Sequence, residues 1–146
     1  MAFTGNFMCT SFKVALLNGE MDFSSDTSQT FKIALFTSSA TLNASTTAYS
    51  TTNEISGTGY TAGGNTLTIS TNPTNATSGT TAFLSFSDTT WVSSTITARG
   101  ALIYKSGGTN PSIAVLDFGA DKSSSNSTFK VEFPTASDTT AILRIG

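Results

Sequence analysis

No histidine occurs anywhere in this chain, and cysteine occurs once, at Cys9. Histidine is the one side chain whose ordinary pKa lies near neutrality, so its absence removes the commonest general acid and base. A lone cysteine excludes an internal disulfide, and with no histidine beside it Cys9 reads as a quietly buried thiol rather than a nucleophile. Charge is also scarce. Only 11% of the 146 residues are Asp, Glu, Lys or Arg, with a formal net charge of -2, where a domain ordinarily carries about 25%. Seven basic residues scattered from Lys13 to Arg144 make no stripe for a phosphate backbone, so nucleic acid is excluded as a partner. Long apolar runs are missing too. The charge-free stretch Ile55–Ser87 is polar and glycine-rich, which leaves no membrane span. Met1–Asn6 offers neither a basic nor an apolar export region.

Serine and threonine fill the space that charge leaves, at about a third of the chain, together with 11 phenylalanines. Threonine suits a pleated, half-solvated surface, and each buried aromatic ring removes roughly 150–250 Å² from water. A weakly charged skin lacks the repulsion that keeps proteins apart. The composition therefore predicts one domain, 1–146, that assembles into a homo-oligomer.

Along the chain, residues 9–18 predict a short helix. Met8, Phe12 and Leu16 fall on one face, Thr10 or Ser11 is placed to cap it, and Gly19 to end it. Beyond residue 30 the period is two. Phe31, Ile33 and Leu35 alternate with Lys32 and Ala34, as do Leu67 and Ile69 with Thr66 and Thr68, and Phe129, Val131 and Phe133 with Lys130 and Glu132. Further strands are expected near Thr81–Ser87, Thr95–Lys105, Ser112–Phe118 and Ala141–Ile145. Turn chemistry marks Asn72–Gly79, Ser106–Pro111 and Lys122–Asn126. The fold class that follows is mainly β: a single antiparallel β-sandwich, jelly-roll-like, with a short N-terminal helix. A hairpin tip at Ser106-Gly107-Gly108-Thr109 puts Arg99 opposite Asp117, a cross-strand ion pair that would set register. Thr37–Thr52, nearly all small and polar, predicts a long loop or edge strand that an assembly partner would order.

Motifs of catalysis are weak. Gly57-Thr58-Gly59-Tyr60-Thr61-Ala62 fits a loose dinucleotide fingerprint, but no helix follows to receive a pyrophosphate, so it reads as a glycine-rich turn. Asp117-Phe118-Gly119 matches a kinase triplet without the other kinase signatures. The acidic residues make no metal-ligand spacing. The expectation is no catalytic residue, no metal and no cofactor. Trp91 reads as a core plug with its N–H satisfied. Candidate contact residues are the apolar arm of residues 1–8, with Phe3, Phe7 and Met8, which either packs on its own sheet or docks onto a neighbour, and the aromatics Tyr49 and Tyr60 that flank the hydroxyl-rich segment.

Phe3-Thr4-Gly5-Asn6-Phe7, Ser11-Phe12-Lys13, the stretch Asn53–Leu67, Arg99-Gly100-Ala101-Leu102-Ile103-Tyr104 and Val115-Leu116-Asp117-Phe118-Gly119 resemble a family of small virion structural proteins of tailed bacteriophages. Asn53–Leu67 is the most specific of them. The resemblance implies a non-enzymatic component of the phage particle, assembled in the bacterial cytoplasm, with other virion proteins as partners: the major coat protein or tail components. A capsid decoration or cement protein, homotrimeric, is the leading expectation. A tail, fibre or adaptor protein touching host glycans through Tyr49, Tyr60 or Trp91 is the alternative.

Overall fold

A computed structural model describes residues 3–146. The chain is mainly β, with two antiparallel sheets and one short helix. The elements are β1 (Phe7–Met8), α1 (Thr10–Leu17), β2 (Thr30–Phe36), β3 (Asn65–Leu67), β4 (Ile69–Asn75), β5 (Ala82–Phe86), β6 (Thr89–Ser106), β7 (Ser112–Val131) and β8 (Leu143–Ile145). The larger sheet runs in the order β1-β7-β6-β2-β3 and the smaller in the order β4-β5-β8.

α1 buries Phe12 and Ala15 and packs Leu16 half-buried against the core, while Met8, expected on the same face, precedes the helix in β1 and is also half-buried. Its start differs from expectation. Cys9, not Thr10 or Ser11, is the N-cap residue, and no side chain caps the helix. Its end is as expected at Gly19, where Gly19 N–H returns to Leu16 C=O and Glu20 N–H to Ala15 C=O, the paired bonds of a Schellman turn. The sheets meet through aromatic rings. Phe31 of the large sheet stacks on Phe23 at 4.5 Å between centroids and faces Phe86 of the small sheet at 6.4 Å.

β6 and β7 form a hairpin of 18 and 20 residues. Its middle, Gly100–Tyr104 against Ser112–Leu116, is buried at every position rather than at alternate ones, as happens when both faces of a sheet are covered. Part of that cover is the segment 37–64. It is held by backbone bridges from Glu54 to Phe36, Ala48 to Pro111 and Thr58 to Thr95. The hydroxyl-rich loop is thus ordered on the protein's own sheet. Two glycines let it lie so close. A Cβ on Gly64 would overlap the Ile33 carbonyl, and one on Gly57 the Thr95 carbonyl, and both residues sit at positive φ. The glycine-rich turn is a spacing device between loop and strands.

Lys122–Asn126 corrects the turn reading. It lies inside β7, with Lys122–Ser124 paired with Ile96–Ala98. Ser124 points inward, where it shares a hydrogen bond with Ser94 at 2.7 Å, and Asn126 takes positive φ at an irregularity in the ladder.

Candidate functional site

Among the described residues, Glu54 is the carboxylate on which two tyrosine hydroxyls converge. The bridge to Phe36 and the bond from Ile55 N–H to Leu35 C=O fix its backbone against β2. Three donors converge on its side chain: Tyr49 O–H on Oε2 at 2.6 Å, and Tyr60 O–H and the Gly63 N–H on Oε1, each at 2.7 Å. The Tyr60 hydroxyl also accepts from Leu35 N–H at 2.9 Å. Tyr104 of β6 donates to the Gly63 carbonyl at 2.8 Å and stacks on Tyr49 at 4.5 Å, nearly parallel. All three tyrosines of the chain belong to this cluster. Burial pushes each phenol above its ordinary pKa, and hydrogen bonding to Glu54 pushes Tyr49 and Tyr60 further.

Chemically this is a clasp. The donors occupy both carboxylate oxygens, and phenols with raised pKa values are poor bases near neutrality. Tyr49 and Tyr60, expected as contact aromatics, direct their hydroxyls inward and join segment 37–64 to the sheet. Trp91 is a core plug, 4% exposed, between Tyr60 and Phe129. Its indole N–H has no partner among the described residues, contrary to expectation. The three aromatics therefore present no shared stacking surface for a sugar ring.

The N-terminal contact candidates are also placed inward. Phe3 is 5% exposed, and a Cβ on Gly100 would collide with its ring. Gly100 makes the socket and Phe3 fills it, so Phe3 belongs to this domain's own core. Phe7 and Met8 form β1, the edge strand paired with Val115 and Ala114 of β7. Met1 and Ala2, the rest of the expected arm, lie outside the described residues.

Arg99 and Asp117 do meet, with Nε to Oδ1 at 3.1 Å, but not in the expected register. Asp117 lies opposite Gly100, because the ladder shifts between Ile103 and Tyr104, so the pair is diagonal. Asp117 Oδ1 also accepts the Gly119 N–H at 2.8 Å, while the Asp117 N–H donates to Asn6 Oδ1 at 2.7 Å. The carboxylate thereby fixes the backbone at the irregularity of β7 beyond it, where Gly119 takes positive φ, and Asn6 ties the N-terminal segment to β7.

Cys9 is fully buried, and burial raises its thiol pKa. Among the described residues no three His, Cys, Asp or Glu side chains gather as a metal site, and no helix is long and apolar enough to cross a membrane. Sequence reasoning did not single out Glu54, and the signal that could have done so was a carboxylate between Tyr49 and Tyr60 in a loop otherwise without charge. Comparison of the chain with protein-family models, with curated proteins and with solved structures finds no match to any of them.

Proposed function

We propose that this chain is a non-enzymatic structural protein of a tailed-bacteriophage particle, a capsid decoration protein that binds as a homotrimer across neighbouring coat subunits. One observation carries the reading: a rigid, weakly charged sandwich whose single helix turns apolar side chains outward. On α1, Phe12 and Ala15 are buried, yet Val14 and Leu17 on the opposite side are 53% and 89% exposed. A helix that is apolar on both sides calls for cover on both sides, and exposed apolar groups of this kind mark contacts. The resemblance spread over the chain supplies the particle type. The clasp around Glu54 supports a scaffold role, because it places the chain's most concentrated polar chemistry in joining a loop to a sheet.

Replacing Val14 and Leu17 together with aspartate tests this. Sedimentation velocity and binding to purified particles are expected to show a folded monomer that no longer attaches, where the unaltered protein is a trimer that does. A double variant that still assembles and attaches would move the interface elsewhere.

A further inference from the structure

Between α1 and the small sheet lies a cavity of ≈ 520 Å³ that the side chains leave unfilled. Met8, Phe12 and Leu16 form one wall, and Phe83, Leu84 and Leu143 another. Its size falls within the roughly 300–1,000 Å³ of small-molecule sites. The floor is apolar, which suits a hydrocarbon chain and leaves water without partners. The neighbouring cavity of ≈ 490 Å³, which shares Met8 and Leu143, differs in carrying both Asp138 and Arg144 on its lining.

The first cavity carries one charged residue, Asp22, beside Ser24, Ser25 and Asn72. Asp22 sits in the loop Glu20–Asp26, which holds three of the nine acidic residues, and no base occurs between Val14 and Phe31. That loop is fixed before any ligand arrives. Gln29 accepts from the Asp22 N–H at 2.9 Å and donates to the Glu20 carbonyl at 3.1 Å, and Lys105 Nζ donates to the same carbonyl at 2.9 Å. The Asp22 carboxylate is itself oriented by the Ser24 N–H on Oδ1 at 2.9 Å.

We infer that this cavity is a binding site for a small cationic amphiphile, whose apolar chain lies along Phe12, Leu16, Phe83 and Leu143 while its ammonium head meets Asp22 at the rim. The charge complementarity selects the head, and the apolar floor selects the tail. This site stands apart from the particle reading and does not depend on it.

The test is calorimetric titration of the full chain with n-hexylammonium, n-octylammonium, octanoate and 1-octanol, below their aggregation concentrations. Octylammonium is expected to bind once per chain, about fifteenfold tighter than hexylammonium, from roughly fourfold per added methylene. It is also expected to bind more tightly than octanoate. Asp22→Asn should remove the preference for ammonium over 1-octanol, and Ala82→Phe, which places a ring at the lining, should abolish binding while thermal unfolding stays cooperative. Leu16→Trp fills the same space from the opposite wall and serves if Ala82→Phe does not fold. Non-saturable uptake, equal affinity for octanoate and octylammonium, or binding unchanged in a folded cavity-filling variant would each overturn the assignment.

Discussion

Glu54 shows how one side chain organises a long stretch of this molecule. A buried hydrogen bond to a charged group contributes about 1.5–3 kcal/mol, and leaving its partner unpaired costs about 1–3 kcal/mol. Glu54→Gln keeps the shape but turns one acceptor into a donor facing a phenol. We expect it to lower stability by about 1–3 kcal/mol in urea unfolding, with little change in the m-value. The pH dependence follows from the raised phenol pKa values of Tyr49, Tyr60 and Tyr104. The folded state holds these protons more tightly than the unfolded chain, whose tyrosines titrate near pH ~10. Their contribution is fully present below that pH and is lost as pH rises above it. Because the chain has no other tyrosine, absorbance at the tyrosinate band should rise together with loss of the β-sheet circular dichroism signal. Three phenols titrating near their free value in a folded protein would remove the clasp from the account.

At the scale of elements, the β6–β7 hairpin separates what was legible in the sequence from what was not. Phe129 and Val131 read correctly as inward because their neighbours Lys130 and Glu132 are charged, and both are buried. Lys122–Asn126 read as a turn because its serines and asparagine favour local side-chain bonds to backbone. It became strand because β6 pairs Lys122, Ser123 and Ser124 with Ala98, Thr97 and Ile96, and the buried Ser94–Ser124 pair satisfies the hydroxyls that face inward. No local pattern could supply that information, since the partner strand is some thirty residues away. The Arg99–Asp117 pair was legible, but its register was not, because the shift between Ile103 and Tyr104 leaves no local signature. With side chains 27% and 13% exposed, the pair should show a coupling of about 0.5–1 kcal/mol in a double-mutant cycle of Arg99→Ala and Asp117→Ala. Strict additivity would mean that the pair does not hold register. Glu54 itself was only partly readable. Its three donors come from its own loop, and Tyr104 of β6 braces them only once Gly57 and Gly64 let the loop lie against the strands.

For the whole molecule, the low charge, the free edges of β1, β3, β4 and β8 and the outward Val14 and Leu17 describe a domain that covers its own core but leaves surface suited to neighbours. Such an interface would bury about 1,200–2,000 Å² per contact, and repetition over a shell would multiply modest affinities into particle stability. Of the two readings of the N-terminal segment, packing on its own sheet or docking onto a neighbour, Phe3 and β1 take the first. Phe3 fills the Gly100 socket and β1 extends the large sheet, so these residues stabilise the domain itself. The most direct measurement is quantitative mass spectrometry of purified particles, giving the copies of this chain relative to the major coat protein. The account predicts a ratio near one, or a simple fraction of one. A handful of copies per particle would contradict the shell assignment and place the protein in the tail, and its absence from particles would contradict the virion reading altogether.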